Sequence, residues 1–314
     1  MLKNEVLTKA DTQPVFLNEL KSIIPPSRLL LGEPLARHTT FRIGGPADYL
    51  VFPASANEVN DVLNAARMHD IPVTVLGNGS NVLVLDGGIR GLVLKFGREI
   101  SCIKHFNCTV TAGAGALLAD VSKYAARQGL TGLEFAVGIP GSIGGAVFMN
   151  AGAYEGEISQ VVTAATAVCA DGRVQRFSKN ELKFGYRRSV FQENGCIICE
   201  VELTLNNGEN SLILSRMGDL TLMRETKQPL EMPCAGSTFK RPPGHFAGTL
   251  IEKAGLKGFA IGGAQVSTKH AGFIVNAGGA TAGEVLALIN HVQDKVYEKF
   301  GVTLQPEIRV IGEK

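Results

Sequence analysis

The chain has 314 residues, 45% of them hydrophobic, enough to bury the cores of two or three compact lobes. Its 31 basic residues against 29 acidic ones leave a net charge of +2, which excludes a general nucleic-acid or membrane-surface binder and makes any anion site local. The six cysteines are scattered through a chain that needs no disulfide staples and shows no secretory h-region, so reduced thiols in a cytoplasmic protein are expected.

In chain order, residues 1–34 mix charges among short apolar pieces and read as a mobile or helical leader. Leu50 to Phe52 reads as a strand, and Ser55 followed by Glu58 is a capping-box pattern opening a helix with Val59, Val62, Leu63 and Ala66 on one face. Val73 to Leu76 is a second strand, followed by the turn Gly77-Asn78-Gly79-Ser80-Asn81 and the apolar run Val82 to Leu85. These pieces make a small α/β lobe over 35–95.

A second, α+β lobe over 96–208 contains the strand Thr109 to Thr111 and a helix from Leu117 to Gln128 that Gly129 would cap. After the glycine-rich stretch Phe135 to Tyr154 come strands near Val161 to Val168 and Cys196 to Leu205, with a second capping-box pattern, Ser178 and Glu181, between them. Cys196 and Cys199 are three apart on this strand and face opposite sides, which favours buried thiols over a redox pair. The polar turn Asn206 to Asn210 opens a third unit, 209–314. It holds a basic helical stretch from Arg216 to Lys227 and a long helix from Thr281, with Glu284 in capping-box position and an apolar face from Val285 to Phe300.

Phe135 to Tyr154 is long and uncharged enough to raise a membrane span, but Pro140, Asn150 and five glycines oppose a stable helix there, so no membrane insertion is expected. The segments 77–81 and 138–145 can instead present successive backbone N–H groups to an anion, which suits a diphosphate; the competing reading of either one alone is a tight hairpin. Gly77 to Gly79 is followed by the strand-like Val82 to Leu85, and Gly113-Ala114-Gly115 lacks a third glycine, so neither of these is a Rossmann fingerprint. No histidine pairs with Cys, Asp or Glu at a recognisable metal-ligand spacing, so no metal is expected.

With TFRIGGPAD (40–48) added, this pattern resembles the two-lobed FAD-binding domain of the vanillyl-alcohol-oxidase type, and the expected fold class is that α+β domain plus an α+β substrate-binding domain. LGNGSNVLV (76–84), GLEFAVGIPGSIGGAVFMNAGAY (132–154), GYRRS (185–189), CAGSTFKRP (234–242) and QPEIRVIG (305–312) narrow the resemblance to the UDP-N-acetylenolpyruvoylglucosamine reductase family, in order from Leu35 to Gly312. The chain lacks a long tyrosine-bearing insertion and so resembles that family's shorter class.

The resemblance implies reduction of UDP-N-acetylglucosamine enolpyruvate to UDP-N-acetylmuramate, with noncovalent FAD and with NADPH as reductant, in a monomer of the cytoplasm. It implies Arg187 at the enolpyruvyl carboxylate, Ser237 as proton donor, and Glu307 either ordering the site or acting as an acid. It places FAD against Arg42, Gly44, Gly77, Asn78, Gly79, Ser80, Asn81, Gly138, Pro140, Gly141, Ser142, Gly144, Gly145, Asn150 and Ala151. Substrate contacts are expected from Tyr186, Arg224, Lys227, Lys240, Gln265 and His270, with Arg241 among the cations near Ser237 and Arg216 a solvated charge. The alternatives are an FAD-dependent sugar or alcohol oxidase on the same fold, which leaves GSTFK and QPEIRVIG without a purpose, and a noncatalytic nucleotide-sugar binder.

Overall fold

The computed structural model describes residues 9–154 and 156–314, so the part of the expected leader before Lys9 lies outside the described residues. Helix α1 (Lys9–Ile23) buries Phe16 and Leu20, and Phe16 meets Tyr49 edge-on at 5.1 Å. Strand β1 (Leu29–Pro34) then pairs antiparallel with β2 (Pro46–Val51), so the end of the expected leader is an edge strand of a sheet.

That sheet continues with β3 (Val73–Leu76) and β5 (Ile89–Lys95) in the order β1-β2-β5-β3, while β4 (Val82–Val84) stands outside it. Strand β5 pairs in parallel on both sides and is buried at six of seven positions, as a central parallel strand must be. Helix α2 (Ala56–Met68) buries Val59, Val62, Ala65 and Ala66. Ser55 caps it by accepting from Glu58 N, but the Glu58 carboxylate goes to Ala54 N and Arg28 and leaves the reciprocal half of the box unmade.

The second sheet is antiparallel throughout: β6 (Ile103–Phe106), β7 (Thr109–Gly113), β8 (Val162–Val168), β9 (Val174–Ser178) and β10 (Ile197–Thr204), in the order β9-β8-β10-β7-β6. Helix α3 (Leu118–Arg127) covers it, and Gly129 at φ +69° ends that helix. The Ser178 to Glu181 pattern opens no helix. Glu181 accepts from both N and Oγ of Ser178, which folds a turn, and Lys183 at φ +46° takes the chain out of helical geometry.

The expectation of six reduced thiols is corrected here. Cys169 and Cys196 lie one step beyond the Val168 and Ile197 partners of β8 and β10, with Cα atoms 4.0 Å apart, and are joined by a disulfide. Strand register makes them neighbours, and register is not visible in their 27-residue separation. Cys199 is a buried thiol, as read, and burial pushes its pKa up to about 12.

Helix α5 (Asn210–Lys227) spans the basic stretch and packs Ile213 and Met217 against Ala126 of α3. Beyond it, β11 (Cys234–Ser237), β12 (Ala260–Ile261), β13 (Ala264–Val266) and β14 (Phe273–Asn276) form a sheet in the order β11-β14-β13-β12. Helix α6 (Ala247–Lys253) and the long α7 (Ala282–Phe300) pack on it. The α7 capping box between Thr281 and Glu284 is complete, and Val285, Leu288, Ile289, Val292 and Val296 are buried as its period requires. Each such side chain contributes about 1.5–3 kcal/mol relative to exposure.

Two connections fix this unit on the first lobe. Strand β15 (Arg309–Ile311) pairs in parallel with β4, and Asp86, just after β4, accepts from Ala282 N at 2.8 Å and Gly283 N at 3.0 Å at the start of α7. The N-terminus of a helix holds a carboxylate well, so Asp86 is an inter-lobe cap.

Candidate active site

The turn 77–81 leaves β3 at Leu76 and enters β4 at Val82. Gly79 has φ +69°, and a Cβ there would lie 2.4 Å from His38 O, so both conformation and space require glycine. Thr40 N donates to Gly79 O, and Thr40 Oγ1 donates to Cys234 O at 2.7 Å, which ties the turn to β11. Asn81 joins it to the C-terminal segment: its Nδ2 donates to Glu307 O, and its own carbonyl accepts from Arg309 N. Among the described residues the amides of Asn78, Gly79, Ser80 and Asn81 donate to no protein acceptor, so four successive donors remain available to an anion.

The second glycine-rich segment lies beside the first. Asn78 Nδ2 donates to Pro140 O, a Cβ on Gly77 would stand 2.5 Å from Ser142 Oγ, and one on Gly141 would sit 3.5 Å from Ser80 Oγ. The expectation that no stable helix forms here is corrected: residues Ile143–Met149 make the short helix α4. Packing overrides propensity, since Ile143, Gly144, Ala146 and Val147 are buried. Ile143 N donates to Ala116 O, Gly144 N to Ala114 O, and Gly145 N to Ser142 Oγ, so these amides are spent within the protein. The donors left in this segment are those of Gly138, Gly141 and Ser142. Asn150, left-handed at φ 44°, ends α4; its Nδ2 donates to Gly185 O and its Oδ1 accepts from Ser159 N, and the following Ala151 N donates to Ala146 O.

Asn150 therefore holds the turn that presents Tyr186 and Arg187. Arg187, itself at φ +56°, donates from Nε to Glu307 Oε1 at 2.6 Å, and its carbonyl accepts from Gln192. Its two Nη groups have no protein acceptor among the described residues. Glu307 is anchored through its backbone, N donating to Thr238 O, and the neighbouring Phe239 and Pro306 form a bridge. Ser237 ends β11 one residue before Thr238, with Gly236 at φ +75° turning the strand, and Thr238 Oγ1 accepts from Ile274 N.

Arg187, Ser237 and Glu307 thus line one open cleft of about 510 Å³, together with Tyr186, Arg241, Phe246, Lys269 and His270. Tyr186 Oη accepts from Arg241 N, and the Arg241 guanidinium lies 4.0 Å from the centre of the Phe246 ring. His270 accepts at Nδ1 from Gly272 N, and burial holds its imidazole below the ordinary range.

The other expected substrate residues sit elsewhere. Lys227 is exposed at the end of α5, Lys240 is fixed through its backbone N to Gln305 O, and Gln265 donates to Gly258 O; none of the three lines the cleft. Arg224 lies under the second glycine segment, where a Cβ on Gly138 would meet its Cδ at 2.6 Å. Its buried Nε has no partner among the described residues, and burial lowers its pKa. Arg42 is exposed at φ 55°, and Gly44 packs so that a Cβ would stand 2.7 Å from Val84 Cβ. Phe246 and Lys269 were not singled out from the sequence. They come from two separate loops that only the β11 to β14 pairing brings together.

Comparison with known proteins follows the same two parts. Residues 47–178 match an FAD binding domain, and residues 228–311 match the C-terminal domain of UDP-N-acetylenolpyruvoylglucosamine reductase. The chain is 52% identical over 299 residues to the UDP-N-acetylenolpyruvoylglucosamine reductase of Clostridium botulinum, covering 95% of this chain and 97% of that one. A relative of the same name from Clostridium perfringens is 51% identical over 284 residues, covering 90% and 93%. The crystal structure of the reductase from Thermus caldophilus matches with a TM-score of 0.77 at 38% identity, covering 90% of this chain and 98% of that one. The α+β flavoprotein fold class expected from the sequence is borne out.

Proposed function

Because the chain belongs to the UDP-N-acetylenolpyruvoylglucosamine reductase family, we propose that it reduces UDP-N-acetylglucosamine enolpyruvate to UDP-N-acetylmuramate, a step of peptidoglycan precursor synthesis, with FAD as cofactor and NADPH as reductant. The observation that carries the reading is the convergence of Arg187, Ser237 and Glu307, from three distant motifs, on one cleft beside the glycine segments.

The chain fits a dinucleotide diphosphate in three respects: the four uncommitted amides of 78–81, the glycines at 77 and 138 where a side chain would collide, and the unpartnered buried Nε of Arg224. The residues that would hold FAD are those of 77–81 with Gly138, Pro140, Gly141 and Ser142. Gly144, Gly145, Asn150 and Ala151 would support them through packing and backbone bonds, and Arg42 and Gly44 would close the site from the first lobe. When bound, FAD supplies a hydride, received from NADPH, to the methylene carbon of the enolpyruvyl ether.

Hydride addition at that carbon leaves negative charge at the adjacent carbon, delocalised into the carboxylate. Arg187 answers that charge. Glu307 fixes Nε and thereby aims the two free Nη groups, so the guanidinium is oriented before the charge develops. Ser237, on the rim of the same cleft, donates the proton to the adjacent carbon that bears the charge, which completes the lactyl ether. Glu307 in this scheme positions Arg187. The diphosphate and uridine are taken by Arg241, Lys269 and Tyr186, with the neutral His270 offering its Nε2–H as a donor on the wall, since its Nδ1 already accepts from Gly272 N. Arg224 packs beneath Gly138 of the flavin segment. The first lobe, second lobe and substrate unit divide near residues 95 and 208, and the enzyme works as a monomer in the cytoplasm. No helix among the described residues is long and apolar enough to cross a membrane.

The test is whether the purified protein carries FAD and consumes NADPH only when the enol ether is supplied. Oxygen-dependent turnover of a simple sugar without NADPH would assign it instead to the oxidases.

A further inference from the structure

Lys95, the last residue of β5, is a cation the mechanism above does not use. It is 8% exposed, and its Nζ donates to Gly77 O at 2.5 Å, at the first residue of the turn that carries the four uncommitted amides. Gly77 O belongs to the same peptide unit as Asn78 N–H, and in a trans peptide the two point to opposite sides. Holding the carbonyl back toward β5 therefore turns the Asn78 amide to the opposite side of that peptide, where it has no protein acceptor among the described residues.

A buried ammonium costs free energy unless something answers its charge. Among the described residues its one hydrogen-bond acceptor is a neutral carbonyl, and the charged side chain facing Lys95 is Glu99, whose carboxylate also takes Arg98 Nε at 3.2 Å and feels Arg28. Burial accordingly lowers the Lys95 pKa to about 8. A diphosphate on the far side of the 77–78 peptide would supply the missing countercharge.

We propose that Lys95 is a cofactor-positioning residue: its ammonium, behind the 77–81 turn, orients the Asn78 amide and adds a buried positive charge to the site that retains the FAD diphosphate. This rests on the reading that FAD is held at 77–81. The sign of the pH effect follows from linkage. The bound anion favours the protonated amine, so binding takes up a proton once the free site begins to lose it, and retention weakens as pH rises through about 8.

The experiment measures the rate of FAD release from the flavin-loaded protein, by recovery of flavin fluorescence after dilution, between about pH 7 and about pH 10. In the wild type, release should quicken by about tenfold or more across this range. Lys95→Met should release FAD about tenfold faster at neutral pH, with no further rise, and Lys95→Arg should hold it at every pH. The apoprotein of Lys95→Met should melt no lower than wild type, because a buried charge has been removed; a merely structural hydrogen bond would predict a lower melting point. A flat wild-type profile, a Lys95→Met protein with wild-type release, or the same pH rise in Lys95→Arg overturns the assignment. Should Lys95→Met not fold, the wild-type and Lys95→Arg profiles decide alone. A purified protein that takes up no FAD overturns the underlying reading, and this inference with it.

Discussion

Replacing Arg187 with alanine separates charge stabilisation from hydride supply. The Arg187 and Glu307 side chains are 22% and 12% exposed, so their 2.6 Å pair lies between a surface ion pair and a fully buried one. Losing it should cost about 1–3 kcal/mol of folding stability. The backbone at φ +56° is strained for arginine and alanine alike, so that strain cancels in the comparison. The larger effect is on rate. A preorganised donor facing a developing anion is worth about 3–4 kcal/mol, so reoxidation of the reduced flavin by the enol ether should fall about 10²- to 10³-fold. Reduction by NADPH creates no such charge and should change less than about threefold. Arg187→Lys keeps the charge but loses the fork and the Nε contact, and should recover only part of the loss. Rapid mixing of each half-reaction under anaerobic conditions reads both rates. Equal slowing of the two halves, or no slowing of the second, would refute the role given to Arg187.

Three further outcomes follow from particular residues. Ser237→Ala should slow reoxidation by the enol ether about 10²-fold while leaving NADPH reduction near normal, in the same rapid-mixing assay. Gly79→Ala, which would place a Cβ 2.4 Å from His38 O at a positive φ, should lower the yield of flavin-loaded protein and destabilise the fold by more than about 1 kcal/mol; an unchanged melting curve and flavin content would contradict the turn described. The disulfide predicts four titratable thiols in denatured, unreduced protein and six after reduction. From its 27-residue separation, reduction should remove about 3.5 kcal/mol of stability in the loop-entropy account. Six thiols before reduction would show the pair to be open.

Much of the fold was legible because local rules and tertiary packing agree there. The caps at Ser55 and Thr281 and the 3.6-residue stripe from Val285 to Val296 each fix an element from a few neighbouring residues. Where packing did not support a local rule, the reading failed. Ser178 and Glu181 have capping-box spacing, but no apolar face follows to stabilise a helix, and a turn forms. Ile143–Met149 shows the reverse: a glycine-rich run becomes helical because Ala114 and Ala116 accept its first amides and the core takes its apolar side chains. The motifs pointed to Arg187, Ser237 and Glu307, and the fold places all three on one cleft. Lys269, Phe246 and Lys95 carry no motif of their own, and the Cys169–Cys196 bond depends on register. Each becomes visible only once strands from distant parts of the chain are paired.

The central claim, an FAD-mediated reductase of the enolpyruvyl ether, is tested most directly by mixing the purified protein anaerobically, first with NADPH and then with UDP-N-acetylglucosamine enolpyruvate, while following the visible flavin band. The band should bleach on the first addition and return on the second, with UDP-N-acetylmuramate formed in equal amount to the flavin reoxidised. A band that never bleaches with NADPH, or one that stays bleached when the enol ether is added, would contradict the account.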